Sequence, residues 1–272
     1  MTDPAAFRVV FIGAGNLATN LALALREKGF SIVQIYSRTE TSACALAEQV
    51  QAAWTTDLGK LIPDADLYIT ALKDTALVEL LPEIVKGREE CFFVHTAGSV
   101  PMELWKTVPG LEHYGVLYPM QTFSKVRRVS FENIPVFIEA GTPEDGEVLT
   151  CLAKTLSRNV QTVNSAQRQA LHLAAVFACN FANHCYTLSE KILAENGLSF
   201  DVMLPLIEET TAKIHQLSPH AAQTGPAVRY DTNVMDKHIE ALKDHPELQT
   251  LYRLMSRGIH REAEEGKRII PG

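Results

Sequence analysis

The chain has 272 residues, 46% of them hydrophobic, which suits one large domain or two modest ones and excludes a disordered chain. Its 25 basic and 32 acidic residues give a net charge of −7 and a sequence pI near 5.7, which argues against a dedicated nucleic-acid binder. The five cysteines (Cys44, Cys91, Cys151, Cys179, Cys185) are scattered and lack C-x-x-C spacing, so neither a disulfide framework nor a metal site is expected; they read as buried free thiols in a reducing cytoplasm.

In chain order, residues 7–12 form a β-rich apolar run. Residues 16–28 place Leu17, Leu21 and Leu25 on one helical face and stop at Gly29. A strand at 32–36 and a helix at about 40–51 follow, then a strand at 67–72 and a helix at about 75–85. Strands are expected at 91–95, 113–117 and 136–139, a helix at 143–156, and a last strand at 160–163. This βαβα order predicts an α/β fold, a Rossmann-type doubly wound, mostly parallel sheet. After Asn164 the pattern turns helical, over about 166–196, 200–217, 232–242 and 246–264, with Gly197, Pro219 and Pro246 as punctuation. We therefore expect a nucleotide-binding domain at 1–164 and an all-α domain at 165–272. Two uncharged stretches, 9–25 and 169–189, are not membrane segments. The first holds Gly13, Gly15, Asn16 and Asn20; the second holds His172, Asn180, Asn183 and His184, which are costly in lipid, and reads as a buried helix of a soluble protein.

The sharpest motif is Gly13-Ala14-Gly15-Asn16-Leu17-Ala18, a G-x-G-x-x-A turn between a predicted strand and helix. Gly13 permits the turn, Gly15 lets a pyrophosphate approach the backbone, and Ala18 lets helix and strand pack closely. The free N–H groups of the helix start would face the phosphates. The second strand ends in Tyr36-Ser37-Arg38-Thr39, without the acid that grips the ribose 2′-hydroxyl of NAD. A guanidinium and two hydroxyls suit a 2′-phosphate, so NADP(H) is expected over NAD(H). Two further loops, Ala71-Leu72-Lys73-Asp74 and Thr96-Ala97-Gly98-Ser99, follow strands and belong at the same sheet edge. The segment from Tyr118 to Ser124 is suited to facing a substrate.

These residues resemble the NADP-binding domain of the pyrroline-5-carboxylate reductase and 6-phosphogluconate dehydrogenase-like superfamily. A deazaflavin-dependent NADP oxidoreductase has a similar first domain. The segment from His172 through Val176 to Asn180, the run Thr224-Gly225-Pro226-Ala227-Val228-Arg229-Tyr230-Asp231, and His238 resemble a narrower family, assigned as NADP oxidoreductases, in which a Rossmann-like domain is fused to an uncharacterised helical domain. The resemblance implies that fold, NADP as cofactor and a homodimer. A common variant of the last motif carries Gly where this chain has Tyr230, which marks the position as less constrained than its neighbours. Related hydroxyacid dehydrogenases use a Lys and an Asn on the equivalent helix. Here no Lys lies between Lys154 and Lys191, so that arrangement does not transfer.

At the helical repeat of about 100° per residue, His172, Val176, Cys179, Asn180 and Asn183 share one stripe. His172 is either the proton donor or a satisfied core residue; Asn180 either holds a substrate carbonyl or carboxylate or packs inside an interface. Arg229 either clamps a substrate carboxylate or pairs with Asp231 or a second subunit. His95 and His113 read as packing residues. The expected function is hydride transfer between NADP(H) and a small C=O or C=N substrate, with His172 as acid/base and Asn180 and Arg229 orienting the substrate. A non-catalytic NADP(H)-binding sensor and a deazaflavin- or flavin-coupled reductase remain as alternatives, without a flavin fingerprint. Neither nucleic acid nor a membrane is an expected partner.

Overall fold

A computed structural model describes residues 3–269 of the chain. Eight strands form one sheet: β1 (Arg8–Ile12), β2 (Ser31–Tyr36), β3 (Ala53–Thr55), β4 (Leu67–Thr70), β5 (Phe93–His95), β6 (Tyr114–Pro119), β7 (Val136–Ala140) and β8 (Val160–Thr162). Their order across the sheet is β3-β2-β1-β4-β5-β6-β7-β8. All neighbours are parallel except β6 and β7. Helices α1 (Asn16–Glu27), α2 (Glu40–Val50), α3 (Asp74–Val85) and α4 (Pro143–Leu156) connect the strands.

Side chains alternate across the pleat, and both faces of β1 are buried. Val9 and Phe11 pack with Leu21 and Leu25 of α1, Leu46 of α2 and Leu149 of α4. Val10 and Ile12 face the other way, onto Leu77 and Leu81 of α3 and onto Trp105. Helices therefore cover both sides of the sheet, and the Rossmann-type α/β fold read from the βαβα order is the one present. Its order reverses between β1 and β4, which opens a crevice at the carboxyl ends of the strands.

The helical part begins with α5 (Ser165–Ala175), capped by Asn164 in a reciprocal pair with Gln167. The expected helix over 166–196 is not continuous. A π-helical segment spans Val176–Phe181 before α6 (Ala182–Glu195) resumes. The π segment departs from the constant helical repeat, yet His172, Val176, Cys179 and Asn180 of the expected stripe still line one cavity. This stretch is not buried: Leu173, Phe177 and Phe181 are 59%, 63% and 50% exposed. The cysteines differ likewise from expectation. They are free thiols, but Cys151, Cys179 and Cys185 are exposed and Cys44 and Cys91 only half-buried.

Contacts divide the chain into two compact units, Met1–His184 and Cys185–Gly272. Residues 164/165, where the sequence pattern turns helical, lie at the start of α5, within the first unit. In the second unit, the helix expected over 200–217 is a 3-10 turn at Phe200–Met203 followed by α7 (Leu204–Lys213). Two one-turn helices, α8 (Pro219–Ala222) and α9 (Pro226–Arg229), precede α10 (Thr232–Ala241) and α11 (Pro246–Ile269). Among the described apolar residues of this unit, only Ala227 and Met235 are buried. No described helix is long and apolar enough to cross a membrane.

Candidate functional site

The four loops singled out in the sequence all follow parallel strands and so share the carboxyl edge of the sheet. Gly13 has φ +118°, and a Cβ there would lie 2.3 Å from the Ala71 carbonyl oxygen, so the close approach of two loops demands glycine. The backbone ties the edge together: Gly13 N–H donates to Tyr36 O, Ala71 N–H to Ile12 O and Thr96 N–H to Thr70 O, at 2.8, 2.8 and 3.1 Å. Gly15 is the N-cap of α1; a Cβ there would meet nothing within 4 Å. No side chain caps α1, and no acid stands in its first turn. The amides of Asn16, Leu17 and Ala18 therefore keep a positive helix end free for an anion, an arrangement that fits a pyrophosphate. Ala14 and Ala18 are buried beneath this turn.

Ser37 is half-buried, while Arg38 and Thr39 are exposed at the end of β2. Arg38 engages no carboxylate among the described residues, which leaves its fork open to a phosphate. Replacing Arg38 by alanine is expected to raise the Kd for NADPH about 10- to 100-fold while leaving that for NADH nearly unchanged. Titration with both cofactors checks this; equal losses for the two would disprove a 2′-phosphate contact. At the end of β4, Ala71 and Leu72 are half-buried and Lys73 is exposed as the N-cap of α3. After β5, Thr96 and Gly98 are buried and Ala97 half-buried.

The Thr96–Ser99 loop is held by a residue absent from the sequence reading. Arg168 of α5 is fully buried. Its Nη1 donates to the carbonyls of Ala97, Gly98 and Val100 at 2.9, 3.2 and 2.7 Å. Its Nη2 reaches Glu139 Oε2 of β7 at 3.0 Å and Ser165 Oγ at 3.1 Å. One guanidinium thus shapes the loop after β5 and anchors α5 to the sheet. His95 lies directly before that loop, fully buried and stacked on Trp105 with ring centroids 5.9 Å apart, a packing residue as expected. Burial, reinforced by the Arg168 charge, pushes its pKa down to about 3. His113 instead pairs with Asp145, Nδ1 to Oδ1 at 3.0 Å, and is half-exposed.

His172 and Asn180 line one cavity of about 320 Å³ in the first unit, with Tyr118, Gln121 and Thr122 from the segment after β6 and Val176 from the π turn. Val176, Cys179 and Asn180 of the π turn line the same cavity as His172. The His172 ring packs against Gly98 so closely that a Cβ there would lie 2.6 Å from it. The Tyr118 hydroxyl meets His172 Nδ1 at 3.1 Å. Tyr118 is buried, which raises its pKa, while the Arg168 charge opposes that rise. Sequence reasoning placed Tyr118 in a substrate-facing segment without giving it a role.

Arg229 belongs to the second unit, where it is exposed at the end of α9. It forms no ion pair with Asp231. The Asp231 carboxylate instead caps α10 by accepting from Val234 N–H. Tyr230 is not loosely constrained, as the sequence reading had it. It has φ +54°, the left-handed region, which is why glycine suits the position. Its ring stacks on His260 at 4.3 Å, an aromatic contact that offsets part of the strain. His238 bonds through Nδ1 to Tyr252 Oη at 2.9 Å.

The family model "NADP oxidoreductase coenzyme F420-dependent" matches residues 8–97, and a model described as a domain of unknown function (DUF2520) matches residues 134–259. A Bacteroides fragilis protein assigned as an NADP oxidoreductase is 58% identical over 94% of this chain and 98% of its own, with a TM-score of 0.90. The chain belongs to this NADP oxidoreductase family. The family's cofactor is NADP(H), in agreement with the open helix start and with Arg38 in place of an acid. More distantly, an imine reductase from Myxococcus stipitatus in complex with NADP+ is 15% identical over 96% of this chain and 94% of its own, with a TM-score of 0.66. A Plasmodium falciparum pyrroline carboxylate reductase with NADP bound is 10% identical over 96% and 98%, with a TM-score of 0.58. At such identities these two share the fold. No curated protein matches the chain significantly.

Proposed function

We propose that this family member is an NADP-dependent reductase of a small C=N or C=O compound. The observation that carries this reading is the cavity lined by His172 and Asn180, with the His172 ring packed against Gly98 of the loop after β5. Bound NADPH supplies a hydride, and the protein must orient the acceptor and provide a proton. The His172–Tyr118 pair is the proton source in reach of the cavity, and the Asn180 amide orients the acceptor. The reductase activities named for the two distant neighbours support a C=N acceptor. The exposed apolar row on α5 and the π turn, and the scant core of the second unit, support a homodimer of the chain, and the free cysteines support a reducing cytoplasm.

The full-length protein, given NADPH, is expected to oxidise it when presented with cyclic imines, aldehydes or keto acids. His172→Ala or Asn180→Ala should lower kcat on the accepted compound about 100-fold. Full activity in both variants would place the chemistry elsewhere. Tight NADPH binding without turnover of any of these compounds would favour a sensor.

A further inference from the structure

We infer that the Tyr118 hydroxyl hands the proton to the substrate and that His172 stands behind it to replenish that proton. The inference rests on the reductase reading above. Tyr118 lies near the carboxyl end of β6, the same sheet edge as the cofactor loops, and its hydroxyl meets His172 Nδ1 at 3.1 Å. Phe137 stacks beside its ring with centroids 6.4 Å apart, and the His172 ring stands edge-on at 6.1 Å and 74°. His172 in turn is wedged against the bare Gly98 backbone. Both rings are therefore held in place before any substrate arrives.

The hydrogen-bond inventory assigns the order. His172 Nδ1 is already committed to the tyrosine oxygen. When Nδ1 carries a proton it donates to that oxygen, and the single O–H of Tyr118 is left to point at an acceptor in the cavity. Gln121, Thr122 and Asn180 supply the neutral polar groups of the lining. Among the described lining residues there is no carboxylate, ammonium or guanidinium; the Cys179 thiol also lines the cavity, but it has no hydrogen-bonded proton relay like that of Tyr118 with His172. The charge that does act on Tyr118 is Arg168, four residues before His172 on α5. Burial keeps the phenol protonated at rest, and Arg168 favours the phenolate that forms during transfer.

The acceptor carbon gains a hydride and its C=N π pair moves onto nitrogen. Nitrogen takes the Tyr118 proton, so an N–H bond forms as the O–H bond breaks. The phenolate takes the Nδ1 proton of His172 as Nε2 takes one from solvent, so the ring stays neutral. One solvent proton is consumed per turnover. A cavity without a fixed charge suits a neutral acceptor, and an unprotonated imine is one that needs such a donor.

The test uses the full-length protein, NADPH and 2-methyl-1-pyrroline. Tyr118→Phe is expected to lower kcat about 100-fold with little change in KM or in the NADPH Kd. The wild-type kcat should fall at high pH as the Tyr118 phenol loses its proton, and that limb should vanish in the variant. Substituting a fluorinated tyrosine at position 118, which preserves shape and lowers the phenol pKa, should move the limb to lower pH. Nitrogen NMR of His172 should show the Nδ1 environment change in Tyr118→Phe. A phenylalanine variant with wild-type kcat, or one that loses kcat but keeps the wild-type pH profile, overturns the donor role. A wild type that binds NADPH but reduces neither this imine nor any aldehyde overturns the reductase reading itself, and the donor role with it.

Discussion

Replacing Arg168 by methionine should destabilise the first unit by about 3–5 kcal/mol, the usual cost of removing one partner from a buried ion pair. Arg168 has no exposed side-chain surface, and the Glu139 side chain is only 10% exposed. Methionine fills much of the volume but leaves that carboxylate without its cation. Glu139 would keep the Ser165 amide and hydroxyl, at 2.9 Å and 2.9–3.0 Å. The carbonyls of Ala97, Gly98 and Val100 would lose their common donor. Because those carbonyls define the loop after β5, NADPH affinity should fall together with stability. Urea unfolding and cofactor titration would measure the two effects. Arg168→Met combined with Glu139→Leu should recover part of the lost stability, because the second change removes the stranded charge. It should not recover cofactor affinity, since the loop still lacks its anchor. A single variant within about 1 kcal/mol of the wild type would show that the pair is not a buried keystone but an ordinary one.

The legibility of this protein in its sequence follows from what each residue needs. Gly13 announces itself because only glycine tolerates the turn, and Gly15 because its bare backbone, with open space where a Cβ would stand, leaves room for a pyrophosphate. The buried strands β1 and β4 stand out as apolar runs because helices cover both faces. Strand β3 was not anticipated: it is three residues long, Ala53, Trp54 and Thr55, too short for a period-2 pattern to register. The π turn has no residue signature, since Val176–Phe181 is as apolar as any helix; only the backbone hydrogen bonds reveal the insertion.

Arg168 was invisible for a different reason. An arginine in an amphipathic helix is ordinarily a solvated charge, and its partners lie 29 and 68–71 residues away in the chain. Tyr118 and His172 are likewise 54 residues apart. A single sequence can point to each residue type but cannot supply the distance between them. The glycine turn is local and was readable; the side-chain network around the candidate cavity is non-local and was not.

Acid should destabilise this fold through His95 by up to about 5 kcal/mol, the free-energy equivalent of a three- to four-unit pKa gap. In the unfolded chain a histidine titrates near 6.5. In the native state burial and the neighbouring Arg168 charge push His95 down to about 3. Between these values the unfolded chain holds a proton that the native state refuses, so stability falls as pH drops from about 6.5 towards 3. Above about 6.5 neither state is protonated there and the contribution is complete. His95→Phe keeps the stack on Trp105 and removes the titrating group. Urea unfolding at pH 7 and pH 4 should show the wild type losing about 3 kcal/mol more than the variant over that interval. The carboxylates common to both proteins cancel in this difference. Parallel losses would mean that His95 is not held neutral by the fold. Binding should respond as well, because His95 Nδ1 accepts the Ala97 amide at 3.3 Å, within the same loop that Arg168 anchors. A proton on that nitrogen removes the acceptor and sets a second cation beside Arg168, so NADPH affinity should weaken in acid in the wild type more than in His95→Phe.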